Sequence, residues 1–328
     1  MRVISDQQIS SLLTSLSKEG VLKFQDVLKK ALEKYHKDPT LVPERIVINR
    51  EDNDAVHIFM PSFAERVGIK TLGGSKEGFK GAVSILDETN GDLLGVLNAT
   101  TLTAFRTALA STIPLVNFFD GKLRDQTITV YGNGPQAYWH VRLTLILFPE
   151  SFKKVQIAVR SINEKSNSLK ESLSNEFKNI GFEVLGQGFA DISKSSVIFG
   201  CVPSTEPAIK FDNLSKDSKT FISLIGSYKP HMAEVDNETV QQALKNGKIV
   251  VDSYEHTLAE AGELIQAGVT TSDVKEIGEL DTVENDQITG KGNLVLVKIV
   301  GLSIMDISVG TEILKESIEN NIGTEVEF

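Results

Sequence analysis

The sequence predicts an α/β protein of two domains, the second built on a parallel sheet. Two observations carry this. Strand-like and helical segments alternate from about residue 120 onward. One of the strands, Thr127–Tyr131, runs straight into the turn Gly132-Asn133-Gly134-Pro135-Gln136-Ala137 at the head of a helix. The length of 328 residues is sufficient for two separate cores.

The first third reads as mixed α and β. Residues 6–35 have helical spacing, opened by Ser5 or Asp6 as N-cap. Short strands follow at Arg45–Asn49, Val56–Met60, Val67–Leu72 and Ala82–Asp87. Asn90-Gly91, between Val83–Leu86 and Leu93–Leu97, signals a hairpin, because both turn residues tolerate positive φ. A helix begins near Thr100, and Pro114 is expected to kink or end it. The pattern changes near residue 118. Beyond it lie strands Thr127–Tyr131, Val155–Val159, Phe182–Leu185, Val197–Cys201, Thr220–Leu224 and Ile249–Asp252, with helices Gln136–Leu147 and Leu169–Asn179 among them. A last apolar run, Leu294–Val300, leads into a helix reaching about Glu319.

The strand–turn–helix at 127–147 has the form of a Rossmann dinucleotide site. Gly132 permits the tight turn, Gly134 admits a pyrophosphate to the backbone, and Ala137 takes the position where the helix packs on the sheet. Pro135 suits a first helical position. The bland alternative is an ordinary βα turn, which the flanking strand and helix disfavour. At the end of the second strand stand Arg160 and Ser161, with no acid at the tip, so NADP(H) is favoured over NAD(H).

Composition excludes several classes. The 44 acidic against 34 basic residues give a net charge of −10, which argues against a nucleic-acid or anionic-membrane partner. No apolar run approaches the roughly 18 residues of a membrane span. The N-terminus turns polar too early for a secretory signal. One cysteine, Cys201, forbids an internal disulfide and suits a cytoplasmic setting. The five histidines, His36, His57, His140, His231 and His256, lack metal-ligand spacing, so no metal is expected.

Lone cations in apolar runs are the other anomaly. Arg106 is the only charged residue between Asp92 and Asp120, and Lys70, Arg45 and Lys298 lie in similar surroundings. A buried guanidinium or ammonium needs a carboxylate of the protein or an anionic ligand. Singly, each reads as an internal ion pair; Arg45, Lys70 and Arg106 together suggest a pocket for a small carboxylate.

These residues together resemble the ornithine cyclodeaminase/mu-crystallin family, along almost the whole chain. The resemblance rests on Arg45 after Pro43, Met60-Pro61, Lys70, Leu102-Thr103-Ala104-Phe105-Arg106-Thr107-Ala108 and Gly132-x-Gly134-x-Gln136-Ala137. Further matches are Thr205-Glu206-Pro207, the Gly226 to Pro230 loop, Val251-Asp252-Ser253, Glu260-x-Gly262-Glu263, Gly278-Glu279 and Lys298-x-x-Gly301. It implies a homodimer built on a discontinuous α/β domain for substrate binding and dimerisation, residues 1–118 plus 302–328, beside a Rossmann-type NAD(P) domain, residues 119–301. It also implies that Arg45, Lys70, Arg106 and Met60 line the substrate site, the two arginines gripping a carboxylate and Lys70 serving the substrate nitrogen. Thr107, the 132–137 turn, Arg160, Ser161, Val202 and Gly226 would hold the cofactor.

Departures from the family decide the chemistry. Cyclodeaminases carry an acid just before Met-Pro and an Asp in the Gly to Pro loop; here Ile58 and Gly226-Ser227-Tyr228-Lys229-Pro230 carry neither. No base remains to activate a δ-amino group. Ile299 replaces a common Ser, and Asn98 a usual Asp. The expected activity is NAD(P)H-dependent reduction of small α-imino acids, ketimine- or pyrroline-carboxylate-reductase-like, or the reverse oxidation of α-amino acids. Ornithine cyclodeamination, and a non-catalytic NADPH- and ligand-binding role of the crystallin type, remain as alternatives.

Overall fold

The structure is a computed structural model that describes residues 1–49, 55–75, 78–245, 247–289 and 292–328. It divides into two compact units, Met1–Thr107 with Gly301–Phe328, and Ala108–Val300. The division falls inside a helix, between Thr107 and Ala108, rather than at residue 118, where the sequence pattern changes.

The first unit begins with β1 (Arg2–Ile4), α1 (Asp6–Thr14) and α2 (Lys18–Lys37). The single helix expected over 6–35 is thus two. Ser5 caps α1 in a capping box with Gln8. The Ser15 hydroxyl turns back to the Leu12 carbonyl (2.7 Å) and Ser17 caps α2, so local side-chain bonds displace the helical ladder between them. Strands β2 (Ile46–Asn49), β3 (Val56–Phe63), β4 (Val67–Ser75), β5 (Gly78–Leu86) and β6 (Leu93–Asn98) form an antiparallel run. The β5–β6 hairpin is present, but only Gly91 takes positive φ (79°). Asn90 is not left-handed; the Asp87 carboxylate organises a wider loop by accepting the Thr89 and Asn90 N–H groups at 3.0 and 3.3 Å.

Helix α3 (Ala99–Phe118) follows. Asn98 accepts the Thr100 N–H at 2.9 Å, and Asp6, from the chain's start, accepts that of Thr101 at 2.8 Å. Pro114 does not end this helix. It deletes one hydrogen bond, while burial of Ile113, Leu115 and Phe118 on either side carries the helix onward.

The second unit contains β7 (Gln126–Tyr131), α4 (Pro135–Leu147), β8 (Phe152–Val159), α5 (Glu164–Glu176), β9 (Gly181–Gly186), β10 (Ser195–Gly200) and β11 (Thr220–Leu224). It continues with α6 (Asn237–Leu244), β12 (Ile249–Val251), α7 (Tyr254–Glu260), α8 (Gly262–Gln266), β13 (Val274–Glu276), α9 (Asn285–Thr289) and β14 (Leu294–Lys298). Its eight strands are parallel throughout, in the order β13-β12-β14-β11-β10-β7-β8-β9. Runs such as Thr220–Leu224 are buried along their whole length, as a sheet covered on both faces requires. Helix α5 starts five residues before the expected Leu169, because the Asn163 side chain caps it. Strand order reverses at β7, which puts a crevice at the carboxyl ends of β7 and β10.

The chain then returns to the first unit as α10 (Ser303–Glu319) and β15 (Thr324–Glu325). Helix α10 packs on α2 and across β3, β4 and β5. Strand β15 pairs with β1, completing a sheet of order β15-β1-β6-β5-β4-β3-β2. Among the described residues no helix is long and apolar enough to cross a membrane.

Candidate functional site

In the first unit, Arg45, Lys70 and Arg106 converge on the start of α10. Lys70, on β4 and 1% exposed, donates to Asp306 Oδ1 at 2.8 Å. Arg106, on α3 and 4% exposed, donates from Nε to the same oxygen at 3.2 Å. Its Nη1 lies 3.3 Å from the Met305 sulfur. Arg45 Nη2 donates to the Gly301 carbonyl at 3.3 Å. Gly301 has φ of +92°, and a Cβ there would stand 2.6 Å from Arg106 Nη1, so conformation and space both demand glycine. Met60 lies across from Lys70 in the β3–β4 register and is buried.

One buried carboxylate therefore faces two buried cations, with a third close by. The other oxygen of that carboxylate, Oδ2, is buried without a hydrogen-bond partner among the described residues. Burial lowers the Lys70 pKa to about 8; Arg106 and Arg45 push the same way, and Asp306 resists. A lysine poised there exchanges protons near neutral pH.

In the second unit, the expected turn opens a groove of about 580 Å³ lined by Gly132, Asn133, Gly134, Arg160, Ser161 and Val202, among others. Gly132 takes φ of +116°, and a Cβ would stand 2.9 Å from the Cys201 carbonyl. Nothing lies within 4 Å of the corresponding position on Gly134, the N-cap of α4. With no side chain capping it, the start of α4 presents free N–H groups and the positive end of its dipole, a fit for a pyrophosphate. Pro135, Gln136 and Ala137 form the first turn of α4, and the Ala137 side chain is fully buried. Thr107 ends the first segment of the first unit, its hydroxyl donating to the Thr103 carbonyl at 2.7 Å.

Gly226 sits in the loop after β11 and donates its N–H to Glu234 Oε2 at 2.6 Å. Glu234, wholly buried, also accepts the N–H groups of Val202 at 3.1 Å and Ser227 at 3.2 Å. It thereby ties the loop after β10 to the loop after β11. Burial raises its pKa, with Glu263 adding and Lys298 opposing. Lys298 is itself an internal ion pair, 3.1 Å from Glu263. His140, on α4, is held by Ser111 at 2.9 Å and the Gln136 carbonyl at 2.8 Å, and burial lowers its pKa to about 4, which keeps it neutral.

Sequence reasoning missed Asp306, Glu234 and Lys165. Asp306 is the mirror image of the lone cations, one anion in the apolar stretch Ser303–Ser308. Glu234 interrupts Met232–Val235 in the same way. Lys165 lines the groove with Arg160, five residues on, and the capping signal at Asn163 that places it was not used.

Comparison with known proteins identifies the family and the fold. The sequence profile of the Ornithine cyclodeaminase/mu-crystallin family matches residues 10–321. The Saccharomyces cerevisiae uncharacterized protein YGL159W is 33% identical over 361 aligned residues, covering 97% of this chain and 98% of its own. The Delta(1)-pyrroline-2-carboxylate reductase of Bacillus cereus (strain ZK / E33L) is 24% identical over 315, covering 91% and 93%. Among solved structures, the Thermococcus litoralis Delta(1)-pyrroline-2-carboxylate reductase, in complex with NADH and L-proline, shares the fold with a TM-score of 0.81 at 22% identity, over 99% of this chain and 100% of that one. With a match spanning nearly its whole length, the chain belongs to the ornithine cyclodeaminase/mu-crystallin family.

Proposed function

We propose that this protein is an NADP(H)-dependent reductase of small α-imino acids, able to run in reverse as an α-amino acid dehydrogenase. The observation that carries the reading is the buried convergence of Lys70 and Arg106 on Asp306, with Arg45 beside them. Arg45 and Arg106 bind the substrate carboxylate, since a guanidinium offers paired donors to two oxygens. Lys70 donates a proton to the imine nitrogen. Bound NADPH supplies the hydride. Apolar Ile58 and Met60 on the strand beside Lys70 offer no base for an amino group on the substrate side chain, which disfavours ornithine as substrate.

Arg160, Ser161 and Lys165, all lining the groove, suit the 2′-phosphate of NADP(H). Purified protein is therefore expected to consume NADPH with Δ1-pyrroline-2-carboxylate, faster than NADH at equal concentration. Arg160→Ala should raise the KM for NADPH about tenfold or more, the worth of one charged hydrogen bond, and leave that for NADH nearly unchanged. Proline and ammonia formed from ornithine without added reductant would reject the reading, as would tight NADPH binding with no imine turned over.

The protein also acts as a homodimer in this reading, built on the first unit. Edge strand β2 leaves Ile46, Val47 and Ile48 exposed at 59, 48 and 49%, so both its faces carry exposed apolar side chains, and among the described residues no strand pairs with its outer edge. A bare strand of this kind invites pairing with a second copy. Light scattering should give twice the 35.9 kDa of one chain, and Ile48→Lys should shift the mass toward one chain. A wild-type monomer would refute it.

A further inference from the structure

The Asp306 carboxylate does something for which the two cations alone are insufficient. Its Oδ1 accepts from Lys70 at 2.8 Å and from Arg106 at 3.2 Å, so a single atom fixes the spacing of an ammonium and a guanidinium carried by different elements. Asp306 is 0% exposed, flanked in α10 by Met305 and Ile307, and its Oδ2 is buried without a partner among the described residues. Such a carboxylate is costly to bury and is poorly explained as packing. The charged groups acting on Lys70 are Asp306 from α10, Arg106 from α3 and Arg45 from the segment before β2. Its neighbours on the same sheet face, Met60, Leu72 and Val83, are apolar.

We infer that Asp306 is a positioning residue of the imine-reductase site, holding Lys70 and Arg106 in register and keeping the lysine charged so that it can donate its proton. The inference rests on the proton-donor reading of Lys70. Arg106 and Arg45 both favour loss of the lysine proton, and Asp306 is the one group named above that opposes them. Neutralising it leaves a buried ammonium facing two guanidinium groups, and the lysine gives up its proton at lower pH. Geometry changes less: an asparagine oxygen still accepts from both cations.

The test is the pH profile of kcat/KM for reduction of Δ1-pyrroline-2-carboxylate by NADPH, measured on the full chain. Wild type should lose activity as pH rises through about 8, where Lys70 deprotonates. Asp306→Asn should move that fall about one pH unit or more toward acid. NADPH affinity, read by fluorescence titration, should stay unchanged. Asp306→Glu retains the charge on a longer arm, so the fall should stay near its wild-type pH while kcat drops at every pH. A folded Asp306→Asn whose profile keeps the wild-type fall overturns the inference, and so does a fully active Asp306→Glu. Lys70→Met separates the two readings. If it is inactive while the Asp306→Asn profile stays put, only the role of Asp306 fails; if it turns over normally, the donor role of Lys70 fails as well.

Discussion

Lys70→Met is expected to lower kcat/KM for imine reduction by about 100- to 10,000-fold, the usual contribution of a positioned proton donor. Affinity for NADPH should not change, because the nucleotide groove is lined by other residues, Gly132, Gly134 and Arg160 among them. Thermal stability should fall by less than the roughly 3–5 kcal/mol that removing one partner of a buried ion pair costs, because methionine fills similar space and Arg106 still pairs with Asp306 at 3.2 Å. A folded, cofactor-competent, inactive variant is a result that a merely structural lysine would not produce. Near-normal turnover would end the assignment.

Glu234→Ala should have the largest effect on stability. The carboxylate accepts three backbone N–H groups, from Val202, Gly226 and Ser227, and lies 3.9 Å from Lys298. Its loss leaves buried donors unpaired and an ion cluster short of one anion, a cost of about 3–5 kcal/mol. Urea unfolding of the variant should show that loss, with Glu234→Gln intermediate because its one carbonyl oxygen can replace only part of the set. The KM for NADPH should rise as well, since Val202 lines the groove. A variant unfolding at the wild-type urea concentration would show that water satisfies these groups instead.

Much of this was legible in the sequence where a local rule decides. Thr220–Leu224 reads as a strand because four of its five positions, all but Ser223, are apolar or β-branched and suit a sheet covered on both sides, and it is one, residue for residue. The turn at 132–137 was legible because φ above zero and close backbone approach restrict Gly132 to glycine. Short strands were not. β13 holds Lys275 and Glu276 among only three residues, and β1 and β15 pair residues at opposite ends of the chain, which no local pattern encodes. The helix over 6–35 failed because apolar spacing outvoted the Ser15 and Ser17 side chains. In the site, the lone cations announced that a partner was needed, yet not which one. Asp306 lies 236 positions from Lys70 and 200 from Arg106, and the periodicity of α10 gives no direction across that distance.

The same separation governs the order of events during synthesis. Lys70 and Arg106 leave the ribosome long before Asp306 is made, and all eight strands of the parallel sheet precede it as well. The nascent chain can complete that sheet while the first unit still lacks both α10 and the carboxylate that neutralises its cations. Until then these two charges have every reason to remain in water. Ordering of the first unit is thereby coupled to the arrival of residues 301–328, which bring α10 and its carboxylate to α2 and the strands they pack on.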